Sequence, residues 1–342
     1  MDGRLMADKV TSSDVARLAG VSQSAVSRVF TPGASASATT RSKVMKAAED
    51  LGYRPNTLAR AMITGKSRVI GMVVAYLENQ FYPMALEYLD RALKERGYHI
   101  LLFMAKNDDS VGQIVEELMS YQVDGIITAS VDMSNDIAKR CDDAGIPVIM
   151  FNRGQETGDL AQVTSDNVEG ARAVAHFLAS AGHKKIAHIS GWQDSSTGLE
   201  RMRGFVEGLK EHDLEPFAVE DGKYNQQEAS AIARRLCSVA DRPDAIFVGN
   251  DHMAFAVMDT LRFELGLSVP NDVSIVGYDD VPIAAWPAYD LTTIRQPINK
   301  MVTATVDVLL ARIERGAASE RIRIPGPLKI RGSARKPKGF TP

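Results

Sequence analysis

Two sets of side chains in this sequence have the types and spacing to act by hydrogen bonding. The first is Ser22, Gln23, Ser24, Ser27 and Arg28 in the run VSQSAVSRVF. On a helix these groups share the outward side, because Val26, Val29 and Phe30 take the inward one. Glutamine pairs with adenine and arginine with guanine, so Gln23 and Arg28 are candidate readers of base edges, with Ser24 a more tolerant contact. The second set follows apolar runs further along: Tyr82, Asn152, Arg153, Trp192, Arg201, Asn250, Asp279 and Trp286. Fixed acceptors and donors with an aromatic face suit a neutral polyol or sugar. Taken singly, each of these residues fits an exposed loop about as well, and Trp286, in AAWPAYDLTTIRQP, fits a core position.

The first set needs a short helix presented end-on. Thr11 followed by Asp14 is a capping-box start, after which Val15, Leu18 and Ala19 fall on one side. Gly20 stops that helix and Ser22 caps the next. A third helix runs from about Thr39 to Leu51, with Val44, Ala47, Ala48 and Leu51 as its stripe and Gly52 after it. Two helices joined by a three- or four-residue turn can place the second one's N-terminus in a major groove. A three-helix bundle with a merely solvated face is the alternative.

The second set needs strand ends. RVIGMVVAY, YHILLFMA, VDGIITAS and IPVIMFN read as buried strands alternating with helices at about 82 to 97, 110 to 121 and 133 to 144. KKIAHISG, DAIFVGND and VSIVGYDD begin the series again, with helices at about 167 to 181, 199 to 212, 226 to 239 and 251 to 265. A late helix spans 297 to 315, and PLKIRGS is a last strand. Continuously apolar strands alternating with helices imply parallel sheets covered on both faces, here in two α/β lobes. Ligands of such sheets sit beyond the carboxyl ends of the strands.

Composition narrows the function. With 45% hydrophobic and 24% charged residues, the 342-residue chain is an ordinary globular protein of two or three domains. It has no apolar run of membrane-spanning length, and charged residues interrupt the first thirty, so a cytoplasmic location is expected. Cys141 and Cys237 stand far apart without a metal-ligand pattern and read as buried thiols. The net charge of -3 hides a basic head on an acidic body. Residues 1 to 68 hold eleven Lys+Arg against five Asp+Glu, while the rest hold 29 against 38. A basic head points to a polyanion. Paired carboxylates (Asp279 with Asp280, Asp142 with Asp143) and six histidines keep acid–base chemistry open by inventory. No GxSxG, P-loop, HExxH or strand-following GxGxxG is present, so neither an enzyme nor a cofactor or metal site is expected. A transport sugar-binding protein would need an export signal.

DVARLAGVSQSAVSRVF, TTRSKVMKAAEDLGYRPN and LARAM closely resemble the headpiece of the LacI/GalR family of bacterial transcriptional regulators. ENQFY, DSSTGLERMRGF, GNDHMAFAVMD, VPNDVSIVGYDD and LTTIRQP resemble motifs of that family's effector-binding core. The resemblance implies a helix-turn-helix headpiece at 9–55, a hinge at 56–66 and a two-lobed, periplasmic-binding-protein-like core at 67–334. Lobe 1 would comprise about 67–164 and 296–324, and lobe 2 about 165–295 and 325–334. It places Ser22, Gln23, Ser24, Ser27 and Arg28 in the recognition helix and Thr11 and Asn56 near the phosphates. Ala59 and Met62 belong to a hinge helix that forms over the operator, with Met62 as a minor-groove wedge. Arg201, Asn250 and Asp279 become ligand contacts, joined by Asn152, Arg153 and Tyr82. Gln80 stands where family members commonly have proline.

One headpiece makes few base contacts, so two on one body are expected, reading a near-palindromic double-stranded operator as a homodimer. A small effector between the lobes, expected to be a sugar or sugar-derived acid, would change the lobe angle and the spacing of the heads.

Overall fold

The central strands of the core are short, rich in Val, Ile and Ala and buried on both faces, which is the environment a helix-covered parallel sheet provides. A computed structural model describes residues 10–31, 34–54, 65–105, 109–131, 133–155 and 158–339. By internal contacts the chain divides at Ser67/Arg68 into a small head and a large core.

In the head, α1 (Ser12–Ala19), α2 (Gln23–Phe30) and α3 (Ala38–Leu51) enclose Val15, Ala16, Ala19, Val26, Val29, Val44, Ala47 and Ala48. Thr11 and Asp14 form the reciprocal capping box, and Gly20 and Gly52 end their helices in the left-handed conformation. Leu18, expected on the inward side, is 54% exposed. Its place is taken by Ala16, whose small side chain lets the helices approach closely.

The core holds two six-stranded sheets. The first contains β1 (Val69–Val74), β2 (His99–Met104), β3 (Gly125–Ala129), β4 (Val148–Phe151), β5 (Ala161–Ser165) and β11 (Arg321–Ile324). The second contains β6 (Ile186–Ser190), β7 (Ala218–Asp221), β8 (Ala245–Val248), β9 (Ser274–Asp279), β10 (Thr292–Arg295) and β12 (Leu328–Lys329). Their orders are β2-β1-β3-β4-β5-β11 and β7-β6-β8-β9-β10-β12. Each lobe therefore repeats one doubly wound order, with its reversal between β1 and β3 or between β6 and β8. All pairs are parallel except β10 with β12.

The connecting helices are α4 (Phe81–Glu95), α5 (Asp109–Ser120), α6 (Asn135–Asp143), α7 (Asn167–Ser180), α8 (Ser196–Lys210), α9 (Gln226–Cys237) and α10 (Asp251–Asp259). A π-turn over Thr260–Glu264 follows α10 where the periodicity predicts continued α-helix. The last helix, α11 (Ile298–Arg315), buries Met301, Val302, Val306, Leu309 and Leu310, and packs against α4 and the strands β4 and β5 of the first sheet. Each such apolar side chain contributes roughly 1.5–3 kcal/mol when removed from water.

Four strands have no clear apolar run in the sequence. AQVTS (β5) and TTIR (β10) are mostly polar, while AVED (β7) and RIRI (β11) are short and only partly buried. YHILLFMA, read as buried, is an edge strand in which Leu102 and Met104 are 37% and 44% exposed.

Candidate functional site

In the head, Ser22 Oγ caps α2 by accepting from Ala25 N at 3.2 Å. Ser22, Gln23, Ser24, Ser27 and Arg28 are all exposed along this helix, while Val26 and Val29 face the core. Gln23 Nε2 donates to Ser12 Oγ at 2.9 Å, which ties the start of α2 to the start of α1. Thr11 is also exposed; its hydroxyl and backbone N–H bond the Asp14 carboxylate at 2.7 and 3.0 Å and hold that carboxyl below the usual range. The helix N-terminus, with its unpaired N–H groups and short polar side chains, is shaped to meet an anion or a base edge. Asn56, Ala59 and Met62 lie outside the described residues.

The core's polar cluster stands where the strand ends predict. Asn152 follows β4, Trp192 follows β6, Asn250 follows β8, and Asp279 closes β9. Ser130, Asn152 and Asp280 have φ of 61°, 69° and 57°, a left-handed backbone that costs about 1–3 kcal/mol in non-glycine residues and concentrates at functional sites.

Asp279 is 4% exposed and accepts from Gln296 Nε2 at 2.7 Å and from Asn79 Nδ2 at 3.2 Å. Arg201 is equally enclosed. Its Nε donates to Asn167 Oδ1 at 2.9 Å, its Nη1 to Gly249 O at 2.6 Å, and its Nη2 stands 3.9 Å from Asp279 Oδ1. The guanidinium carbon lies 3.7 Å from the centre of the Tyr278 ring, a cation–π contact. Burial raises the Asp279 carboxyl, and the Arg201 charge opposes that rise.

On the first lobe, Asn152 Nδ2 donates to Tyr82 Oη at 3.2 Å, and Tyr82 packs edge-on against Tyr76. Burial raises the Tyr82 phenol, so it acts as a neutral hydrogen-bonding group. Arg153 lies over the Trp192 ring at 5.4 Å, joining first-lobe cation to second-lobe aromatic. Asn250 Oδ1 caps α10 by accepting from Met253 N at 2.9 Å. Three buried amide atoms, Asn152 Oδ1, Asn250 Nδ2 and Gln296 Oε1, have no hydrogen-bond partner among the described residues. Trp286 adjoins this cluster through Asn79. It is 55% exposed and lines a cavity of about 360 Å³ with Glu78, Asn79, Gln80, Ile283 and Tyr289.

The cluster also includes Asn79 and Asp251, which stand in loops the strand-end rule picks out, and Gln296, Asn167 and Tyr224, which it does not. Asn79 and Gln296 hold Asp279, and Asn167 holds Arg201. Tyr224 reaches over Gly191 and donates its hydroxyl to Thr197 at 2.8 Å. A Cβ at position 191 would lie 2.0 Å from the Tyr224 ring, so any larger residue there would displace Tyr224 from its bond to Thr197. Asp251, just after Asn250, accepts from Val281 N at 3.0 Å and Thr293 Oγ1 at 2.6 Å and anchors the loop that follows Asp279.

Known proteins with the same arrangement identify the family. The model for bacterial regulatory proteins of the lacI family matches residues 11–56, and that for a periplasmic binding protein-like domain matches 175–334. The ribose operon repressor of Escherichia coli (strain K12) is 32% identical over 331 residues, covering 95% of this chain and 99% of its own. The chain belongs to the lacI family of bacterial regulatory proteins. The HTH-type transcriptional repressor PurR of Vibrio vulnificus (strain CMCP6) is 31% identical, covering 91% of this chain and 94% of that one. The Lac repressor dimer bound to operator and the anti-inducer ONPF superposes with a TM-score of 0.85 at 27% identity, covering 95% of this chain and 99% of that one. The CelR–cellobiose complex gives 0.73 at 29% identity, covering 95% and 100%.

As a lacI-family protein, the chain is a DNA-binding transcriptional regulator, not an enzyme, and a small-molecule effector acting between its lobes controls it. The helix-turn-helix head and the two parallel-sheet lobes are the parts that divide this work. Among the described residues, no helix is long and apolar enough to cross a membrane.

Proposed function

We propose that this lacI-family regulator is a cytoplasmic repressor that binds a near-palindromic operator as a homodimer and takes a sugar or sugar derivative as effector. The observation that carries the effector class is the set of buried, unpartnered amide atoms, Asn152 Oδ1, Asn250 Nδ2 and Gln296 Oε1, the last on the side chain that also bonds Asp279. An unmet buried polar atom costs roughly 1–3 kcal/mol, and ligand hydroxyls, which both donate and accept, would satisfy an acceptor and a donor together. The ribose operon repressor and the CelR–cellobiose complex, similar over 95% of this chain, agree with a sugar.

In this reading Tyr82, Asn152, Arg153, Arg201, Asn250 and Asp279 hold the effector, Trp192 closes one side, and Trp286 lies at the flank. Thr11, Ser22, Gln23, Ser24, Ser27 and Arg28 meet the DNA, with Asn56, Ala59 and Met62 completing the contact from the hinge. The head spans 9–55, the hinge 56–66 and the core 67–334, and the membership of the two sheets supports lobes of 67–164 with 296–324 and 165–295 with 325–334. Phe263, 81% exposed on the second lobe, is the kind of apolar surface that a second copy would cover.

Titration calorimetry of the full chain with ribose, cellobiose and adenine tests the effector class. A sugar that binds and is lost in Asn250→Ala supports it; adenine binding with neither sugar taken up overturns it.

A further inference from the structure

We infer that the outer groove between α8 and the strand pair β5–β11 is a second small-molecule site, for an amphipathic anion. The groove encloses about 510 Å³ and is lined from both lobes. Its floor is apolar: Leu199, Met202 and Val206 lie three and four residues apart on α8, and Leu199 is 45% exposed. Val206 also packs against the lobe's core at the inner end of the stripe, while Leu199 at its outer end stands open to solvent.

The charges around the floor are unequal. Glu200 is held by Arg323 Nη2 at 3.0 Å and by Asn167 Nδ2 at 2.9 Å, and Glu207 by Arg172 Nη2 at 3.0 Å. Both carboxylates that line the groove are thus already paired, although Glu207 shares Arg172 with Glu169 and Glu211. Arg203 and Lys210, seven residues apart on the same helix, are exposed and have no ion pair among the described residues. Two free cations beside a three-residue apolar strip fit a carboxylate or sulfonate carried on an aliphatic or aromatic body.

The groove is separate from the cleft cluster but linked to it. Glu200 on its rim bonds Asn167, and Asn167 bonds Arg201. A ligand there touches Gln162 and Thr164 on one lobe and α8 on the other, so it favours one lobe angle over others. The site stands whether or not the cleft takes a sugar.

The test is a fluorescence titration of the full chain with 8-anilinonaphthalene-1-sulfonate, followed by displacement with decanoate and with decyltrimethylammonium. One saturable site per chain is expected, displaced by decanoate and not by the cation. Arg203→Glu and Leu199→Glu, both at exposed positions, should each weaken the probe at least tenfold, while Lys184→Glu leaves it unchanged. Non-saturating uptake, equal displacement by the cation, or unchanged affinity in both groove variants overturns the assignment.

Discussion

Asn79 of the first lobe donates its amide to Asp279 of the second at 3.2 Å, across 200 residues of sequence. Since Asp279 is buried and raised by that burial, each donor it receives keeps its ionised form tolerable. The bond therefore joins the lobes at a buried carboxylate of the cleft cluster. Asn79→Ala should lower stability by about 1–2 kcal/mol and widen the cleft. Denaturant unfolding and the radius of gyration from X-ray scattering check this; wild-type values for both would show that the bond is no latch.

Arg201 makes a different demand on its position. Its fork serves Asn167, Gly249 and Asp279 at once while its face covers Tyr278, and a lysine ammonium reproduces neither the fork nor the stacking. Arg201→Lys should weaken ribose binding at least tenfold in calorimetry and lower stability by about 3 kcal/mol, because buried donors and acceptors lose their partners. Ribose binding at wild-type strength in a folded Arg201→Lys protein would remove Arg201 from the site.

Much of this arrangement was legible in the sequence because strand ends announce themselves. Asp279 and Asn250 close apolar runs, and a doubly wound sheet gathers such ends in one place. Gln296 and Tyr224 were not legible. They stand in loops without periodicity, and their part comes from contacts distant in sequence, between lobes for Gln296 and within the second lobe for Tyr224, that no local pattern encodes. Tyr224 left a faint mark, since Gly191 opposite it has no room for a methyl group. The edge strands β7 and β11 escaped for a related reason. A strand covered on one side only does not need the continuous apolar run by which β3 and β9 are recognised.

Gly204 tests the packing of α7 on α8, the pair that carries Asn167 and Arg201. A Cβ there would sit 2.1 Å from Val168 O, a backbone atom that cannot swing aside. Gly204→Ala should therefore push the helices apart, cost about 1–3 kcal/mol and loosen the Asn167–Arg201 bond. Unfolding midpoints measured beside wild type decide it, and an unchanged midpoint would mean that the helices separate freely.

The head can be tested with paired substitutions. Arg28 is exposed on α2 beside Ser24, whose backbone oxygen accepts from its Nε at 3.4 Å, so the guanidinium is positioned with little to hold it back. Arg28→Ala should cost about 1–3 kcal/mol of discrimination between operator and random DNA, whereas Lys66→Ala should mainly reduce the salt slope. Mobility-shift titrations at several salt concentrations separate the two effects. Equal losses on both DNAs for both variants would remove the base-reading role from Arg28.

His188 supplies the prediction on pH. It lies on β6, stacked on Phe247 and tilted against Phe205, with Nδ1 2.9 Å from Phe247 O, and burial pushes its pKa down to about 4, with the Arg201 charge adding to the fall. The unfolded chain takes up a proton near pH 6.5 while the folded chain resists until about 4. Its contribution is thus complete above pH 6.5 and disappears as the pH falls through 4. Over that window the native state should lose about 3 kcal/mol from this residue. In His188→Leu, which keeps the apolar bulk and cannot be protonated, the same pH change should cost correspondingly less. Urea unfolding of both proteins at pH 7.5, 6, 5 and 4 measures the difference, and parallel stability curves would show that His188 does not titrate in this range.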